Sequence, residues 1–201
     1  MIYTIGYADY NTNDFVGALL KYNISILFDV RSVPFSKYYS NFNKEQLCRA
    51  LSNNKIEYVF VGDKLGGKPK NNKLYTNNIV DYNKMLLDDD FKKGLNKIIE
   101  NKQRNICLMC SEKKAINCHR AILLGRVLSN LGLSVLHIEK NIPLLSQKDI
   151  EQELKNIYFP DGGQTSLFDE NEDYEFLLNK AYMEQNKKIG SKYSNDENDS
   201  Y

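Results

Sequence analysis

The chain has 201 residues, with 27 Lys and Arg against 26 Asp and Glu and a formal net charge of +1. A domain of this length buries about 70% of its unfolded surface, so it needs no disulfide or metal to fold. The charge balance argues against broad electrostatic wrapping of nucleic acid, although it leaves room for a local basic groove.

The compartment is suggested by what the sequence lacks. It has no apolar run near the roughly 20 residues of a membrane span, and Met1 leads into a strand-like segment rather than a signal pattern. With four cysteines read as reduced thiols, we expect a cytoplasmic protein without membrane contact. The oligomeric state is not predicted.

Hydrophobic patterning predicts five strands, each a short apolar or β-branched run, at 2–5, 24–30, 56–61, 106–109 and 134–138. Helices are predicted between them, from a cap at Thr12, a capping box at Asn43 and Gln46, a region dividing near 88–90, a segment at 118–131 and a capping box at Ser146 and Asp149. This alternation predicts an α/β fold, with an open, mostly parallel sheet of about five strands, helices on both faces and a C-terminal appendage.

The pattern changes after the last predicted helix. We expect an α/β domain over 1–158, a linker over 159–168 that starts with a Pro-Asp-Gly-Gly break, and an acidic helix within 169–201. From Lys187 the tail is polar and is expected to be disordered.

The segment 105–120 predicts a site. A buried strand ends at Cys110, and Glu112, Cys118, His119 and Arg120 follow before a helix begins. In open α/β sheets, ligands sit where strands end at their carboxyl edge and helices begin.

Cys110 is the candidate nucleophile at this edge. A helix N-terminus, His119 and Arg120 would favour its thiolate form, and His119 or Glu112 would move the proton. Arg120 with the helix N-terminus would hold an anion such as a phosphate. The alternatives are that Cys110 is a small buried hydrophobe and that Glu112 is a solvated loop charge.

Cys118 could resolve a sulfenic acid or disulfide on Cys110, or could simply flank the helix start. With His119 and His137 the two cysteines supply the ligand types of a zinc centre. The spacing fits poorly, because His119 is next to Cys118 and joint ligation looks awkward. We therefore expect no metal and no cofactor, and we interpret Cys48 and Cys107 as packing residues.

Two further segments supply candidate substrate-binding residues. Asp29 and Arg31 share one face of a strand and form either a structural pair or a polar site floor, in front of a loop that carries Ser36. In the loop after the third strand, Gly66 and Gly67 with Lys68 could cradle an anion through backbone amides, or could form a flexible lid. The P-loop spacing is absent.

The residues from Gln164 to Phe168 suit docking into an apolar pocket, with Leu167 and Phe168 as anchors and Gln164 as a hydrogen-bonding handle. They resemble the pentapeptide by which bacterial proteins bind the DNA polymerase sliding clamp. Alternatively, Thr165 or Ser166 caps the following helix.

Taken together, the motifs from Tyr3 to about Glu139 resemble the uncharacterised bacterial and archaeal family called domain of unknown function 488. The motifs are Thr4-Ile5-Gly6, Asp29-Val30-Arg31 with Pro34 and Ser36, Leu65-Gly66-Gly67, Cys110-Ser111-Glu112, Cys118-His119-Arg120 and Val135-Leu136-His137-Ile138. The family usually has His and Ser where this chain has Tyr7 and Ala8. The resemblance implies a compact α/β domain with a cysteine-bearing site and no known reaction, and the family's Gln-x-x-Leu-Phe tails imply an association with DNA maintenance.

Three functional hypotheses follow. The first is a cysteine-dependent hydrolase or transferase that acts on a nucleotide or nucleic acid. The second is a non-catalytic, clamp-tethered module that binds nucleic acid or protein. The third is a redox sensor switched by a Cys110–Cys118 disulfide.

Overall fold

In the computed structural model, which describes residues 1–160 and 170–194, a six-stranded sheet has the order β3-β2-β6-β1-β7-β8, and β4 and β5 form a separate pair. The strands are β1 (Ile2–Gly6), β2 (Ile26–Asp29), β3 (Glu57–Phe60), β4 (Tyr75–Thr76), β5 (Ile79–Val80), β6 (Ile106–Cys110), β7 (Val135–Ile138) and β8 (Leu145–Ser146). The first five strands of the sheet order run parallel, and β8 pairs antiparallel with β7.

The helices lie between and after the strands. They are α1 (Thr12–Lys21), α2 (Lys44–Ser52), α3 (Gly62–Leu65), α4 (Tyr82–Leu87), α5 (Asp89–Glu100), α6 (Arg126–Asn130), α7 (Gln147–Tyr158) and α8 (Glu170–Ile189), with a π-helical segment at Arg120–Gly125 and 3-10 turns at Ser40–Phe42, Asn72–Leu74 and Ala115–Asn117. None of the helices within the described ranges has the length and apolar character to cross a membrane.

Helices cover both faces of the sheet. On the α1 face, α1 and α2 pack on alternate strand residues, and this core includes Phe15, Leu19, Leu47, Leu51, Ile5, Leu27 and Met109. On the opposite α6 face lie α5, the π-helical segment, α6, α7 and α8, and the core there includes Phe91, Ile98, Ile122, Leu128, Leu154, Leu178, Phe28 and Leu108. Because successive strand residues point to opposite faces, each functional side chain belongs to one core or the other.

The α/β fold and its mostly parallel sheet are as the sequence predicts, and all five predicted strands are present. Capping explains two helix starts. Ser146 and Asp149 form the predicted capping box of α7, and Asp88 accepts the first N–H groups of α5, which separates it from α4.

Two capping predictions are wrong. Asn11 rather than Thr12 caps α1. Asn43 occupies the N-cap of α2 without a capping hydrogen bond, because its Oδ1 accepts the backbone N–H of Ser36 at 2.6 Å.

The C-terminal helix packs on the domain through polar as well as apolar contacts. Gln185 of α8 donates to the carbonyl oxygen of Ile116 at 2.7 Å, and Asn186 accepts the backbone N–H of Tyr82 and donates to Val80. The helix continues to Ile189, past the point where the sequence predicts a disordered tail. The predicted motif from Gln164 to Phe168 lies outside the described residues.

Candidate active site

β6 ends where the winding of the sheet reverses. The helices after β1 and β2 pack on the α1 face, whereas the π-helical segment and α6, which follow β6, pack on the α6 face. β6 lies between β1 and β2. The helical segment that follows β6 therefore lies on one face of the sheet, and the helices that follow its two neighbours lie on the other. In open α/β sheets this reversal leaves a crevice at the carboxyl ends of the strands, where ligands bind. Cys110 is the last residue of β6.

Three side chains meet at this position on the α6 face. Sγ of Cys110 lies 3.8 Å from Nδ1 of His119, and Sγ of Cys118 lies 3.7 Å from the same nitrogen. All three donor atoms lie within 4.8 Å of one another. The residues are buried, with exposed fractions of 6% for Cys110, 3% for Cys118 and 7% for His119.

The second ring nitrogen fixes the orientation of His119. Its Nε2 lies 3.1 Å from the backbone carbonyl oxygen of Val30, which can only accept, so Nε2 carries a proton. In the neutral ring Nδ1 is then an acceptor that faces the two thiols, and in the charged ring it is a donor to a thiolate. His119 can therefore exchange one proton with either sulfur.

The two thiols differ in acidity. The pKa of Cys110 is held well below its ordinary value, mainly by the hydrogen bond from Cys118, with help from His119 and the charge of Arg120 against the effect of burial. Burial raises the pKa of Cys118 well above its ordinary value, and the hydrogen bond to Cys110 and the charge of Cys110 add to this. Of the two thiols, Cys110 is therefore the more acidic and ionises first.

Arg120 holds the loop that follows β6. Its side chain is fully buried, Nη1 donates to the carbonyl oxygen of Glu112, and Nη2 donates to that of Lys113 at 2.9 Å. Gly6 makes room for this loop, because a Cβ there would overlap the Glu112 carbonyl oxygen. The structure thus gives the Arg120 guanidinium two backbone partners, and the Glu112 side chain is exposed.

The glycine segment packs on His119. A Cβ added to Gly67 would lie 3.0 Å from Nδ1 of His119. The segment is anchored at Ser32, whose Oγ accepts the backbone N–H of Lys68 at 2.8 Å, and a Cβ on Gly66 would come within 2.5 Å of the same oxygen. Gly66 is therefore needed for close approach to the strand ends, and a side chain at Gly67 would press on the imidazole of His119.

Asp29 and Arg31 form their pair on the other face of the sheet. Asp29 is in register with Met109 rather than Cys110, so its side chain points to the α1 face. Nη2 of Arg31 donates to Asp29 at 2.6 Å and Nε donates at 2.9 Å, while the Tyr58 hydroxyl donates to the same carboxylate at 2.7 Å. The sheet therefore separates the Asp29–Arg31 pair from the thiols.

The surroundings of Arg31 leave one donor unused. Burial alone would lower the pKa of Arg31, but the hydrogen bonds and charge of Asp29 outweigh burial and raise it. The guanidinium carbon lies 5.1 Å from the ring centre of Tyr7, and Nη1 is buried without a hydrogen-bond partner. Ser36 lies farther along the loop, where its Oγ accepts the backbone N–H of Tyr39 at 3.1 Å.

The thiol–imidazole cluster has the donor set of a metal ligand site. The objection to joint ligation by Cys118 and His119 does not hold in this geometry, because their donor atoms lie 3.7 Å apart, and an Nε2–H bonded to a backbone carbonyl is typical of metal-binding histidines. Within the described ranges no fourth Cys, His, Asp or Glu joins the three. A tetrahedral ion would take its fourth ligand from water or substrate.

Sequence reasoning missed two tyrosines near these groups. Tyr58 bonds to Asp29, and the buried Tyr82 lies near the thiols, since burial and the charges of Cys118 and Cys110 all raise its pKa. Neither has a sequence signal beyond its position in a predicted strand or helix. His137 is the residue before the last of β7, and its fully buried ring is hydrogen-bonded between Thr4 and Gln147.

The model of the family described as Domain of unknown function DUF488 matches residues 11–127. The chain belongs to this family. The match contains the Asp29 to Arg31 motif, the glycine segment and the cluster from Cys110 to Arg120, whereas the Thr4-Ile5-Gly6 and Val135 to Ile138 motifs lie outside it. No curated protein and no solved structure matches the chain.

Proposed function

We propose that this DUF488 protein is a cysteine-dependent enzyme in which Cys110 is the nucleophile and the substrate is a nucleotide or nucleic acid. The observation that carries the proposal is the contact of Cys110 with both Cys118 and His119 at the switch point of the sheet. A thiolate held ready at neutral pH beside a proton donor is the arrangement that nucleophilic catalysis requires.

The chemistry needs only these groups and water. The Cys110 thiolate attacks an electrophilic carbon or phosphorus, and the new bond to Sγ forms as the bond to the leaving group breaks. The leaving group takes a proton from Nδ1 of His119. A water molecule then returns a proton to Nδ1 of His119, and its oxygen displaces Sγ from the substrate, which restores the thiolate.

Access to Cys110 requires a movement of the chain that covers it. Cys110 is 6% exposed, and the Gly66–Lys68 segment packs on His119. We infer that this segment moves aside to admit the substrate, which is the behaviour of loops that exclude water from an active site.

Alkylation with iodoacetamide tests the nucleophile. After treatment with a metal chelator, Cys110 should be labelled at neutral pH at least about tenfold faster than Cys48, because only about 3% of an ordinary thiol is ionised at pH 7. Cys48 is the matched control, since it is more accessible in α2 and burial raises its pKa. Labelling of Cys110 no faster than of Cys48 would remove the nucleophile.

A second function is favoured by the closeness of the two sulfurs. Peroxide could oxidise the Cys110 thiolate to a sulfenic acid, and Cys118 could displace water from it to form a disulfide. The Sγ atoms lie within 4.8 Å, so the linkage needs only a small rearrangement. Mass spectrometry after mild peroxide would detect a Cys110–Cys118 peptide, and its absence would exclude the redox sensor.

The clamp-binding motif supports a link to DNA maintenance from sequence alone. If Gln164 to Phe168 tether the protein to a bacterial sliding clamp, the Leu167→Ala, Phe168→Ala double variant should lose binding to immobilised clamp. Undiminished binding by the double variant would eliminate this role, and with it the proposed clamp-tethered module.

A further inference from the structure

Two segments that border the carboxyl edge of the sheet carry an unusual charge pattern. Residues 30–44 and 64–80 contain seven Lys and Arg and no Asp or Glu, so the remainder of the chain holds 20 cations against 26 acids. The cations are Arg31, Lys37, Lys44, Lys64, Lys68, Lys70 and Lys73. A nearly neutral protein thus carries an excess of positive charge beside the candidate site.

The two segments form one surface. They meet where Lys68 donates its backbone N–H to Ser32, and the second segment reaches the thiol cluster through Gly67, which packs on His119. The first segment is tied to the end of β1 by Tyr39, whose ring centre lies 5.5 Å from that of Tyr7. We call this surface, residues 30–44 with 64–80, the basic–aromatic surface.

The lysines of this surface face solvent with their charge available. Lys37 and Lys70 are exposed and Lys68 is partly exposed. Within the described ranges no carboxylate lies at salt-bridge distance from any of these three, whereas Lys64 pairs with Asp63.

Aromatic side chains are exposed among these lysines. Tyr38 is 86% exposed, and Phe35 and Tyr39 are 45% and 41% exposed. The loop that carries them is ordered by hydrogen bonds, because Ser36 binds Asn43 and Lys44 donates its backbone N–H to Pro34. An ordered loop that presents aromatic rings and lysines together is the composition of a stacking platform for bases with contacts for phosphates.

We propose that the basic–aromatic surface binds single-stranded nucleic acid and leads it to Cys110. Exposed rings can stack only on bases that are not already stacked within a duplex, which favours a single strand. A single strand bound at this surface would be the substrate of the proposed enzyme, so this inference rests on the proposed function. The binding itself uses no thiol.

Fluorescence anisotropy of labelled oligonucleotides tests the proposal on the full chain. The oligonucleotides have about 15 nucleotides, which is near the upper site size of a small binding domain. The probes are single-stranded DNA, single-stranded RNA of the same length and a DNA duplex. We expect a single strand to bind more tightly than the duplex, with affinity that falls as salt rises. The comparison of DNA with RNA identifies the natural backbone.

The variants are Tyr38→Ala and Lys37→Glu, with Phe176→Ala and Lys102→Glu as matched controls at exposed positions outside the surface. Tyr38→Ala should weaken single-strand binding about tenfold, as loss of one base–aromatic stack does. Lys37→Glu should weaken it and reduce its salt dependence. The controls should bind within about twofold of the unaltered protein, the change expected of a charge or ring outside the contact.

Several outcomes would overturn the proposal. They are absence of single-strand binding at low salt, equal effects of the Tyr38 and Phe176 substitutions, or equal competition by polyglutamate, which would indicate a surface for acidic peptides. The Cys110→Ser variant separates this proposal from the proposed function. It should bind single strands as tightly as the unaltered protein does. If the unaltered protein shows rapid alkylation of Cys110 but no single-strand binding, the proposed surface is wrong and the proposed nucleophile stands.

Discussion

Sγ of Cys110 and Nδ1 of His119 face each other at 3.8 Å, while the far side of the imidazole is fixed to the Val30 carbonyl. The first residue ends β6 and the second begins the helical segment on the α6 face. This relationship joins a candidate nucleophile to a proton donor whose orientation is set by the backbone of the neighbouring strand.

Cys118 should tune Cys110 through its hydrogen bond. The Cys118→Ala variant removes the largest cause of the lowered pKa of Cys110, so the pKa should rise and alkylation of Cys110 at neutral pH should slow severalfold. Cys118→Ser keeps a donor at this position and should retain most of the rate. If both variants react like the unaltered protein, the hydrogen bond has no influence on Cys110.

Arg120 should contribute to stability through the loop that it holds. Arg120→Met leaves the carbonyl groups of Glu112 and Lys113 without their donors, and the free energy of unfolding should fall by about 2–5 kcal/mol. Arg104→Met is the control, because the Arg104–Glu57 ion pair is exposed and should be worth less than about 1 kcal/mol. Urea denaturation of both variants measures the difference, and equal losses would contradict the assigned role.

Gly67 should be intolerant of a side chain. Gly67→Ala places a methyl group 3.0 Å from the His119 ring, and the resulting overpacking should cost about 1–3 kcal/mol and change the alkylation rate of Cys110. Gly17 in α1 has open space around it, so Gly17→Ala should leave that rate alone and stabilise the helix by about 0.5–1 kcal/mol. Thermal unfolding would show opposite shifts, and a neutral Gly67→Ala would mean that the segment does not pack on His119.

His137 should make stability depend on pH. Burial and the charge of Arg120 lower its pKa to about 4, whereas the unfolded chain titrates near about 6.5. Between these values only the unfolded state binds the proton, so stability is complete above pH 6.5 and is lost as the pH falls towards 4, by about 3 kcal/mol in total. The difference in unfolding free energy between the unaltered protein and His137→Gln should change over this range, and a constant difference would contradict the buried neutral imidazole.

The local part of the fold could be predicted from sequence because its signals are local. The apolar run that ends at Cys110 and the capping box at Ser146 each specify their own element. The weak hairpin of β4 and β5 and the short α3 were missed, since two-residue strands and a four-residue helix carry no periodicity. The segment predicted as one helix over 118–131 begins as a π-helical turn, where Gly125 lies against Gln147 of a distant helix.

Only part of the site's assembly could be predicted from the sequence. The convergence of Cys110, Cys118 and His119 follows from their closeness in sequence at one strand end. The face of Asp29 depends on its register with Met109, and the register of two parallel strands that are distant in sequence is set by packing over the whole sheet. The close packing of Gly67 on His119 is likewise a tertiary contact that no local pattern reports.

The central claim is that Cys110 is a thiolate at neutral pH, and its titration tests this most directly. The ultraviolet absorbance of the thiolate, taken as the difference between the unaltered protein and Cys110→Ser after chelator treatment, gives the pKa of this one sulfur. We predict a midpoint well below the ordinary thiol value of about 8.5, shifted upwards in Cys118→Ala. A midpoint at or above the ordinary value would contradict the account, because burial would then outweigh the partners of Cys110 and no nucleophile would be present.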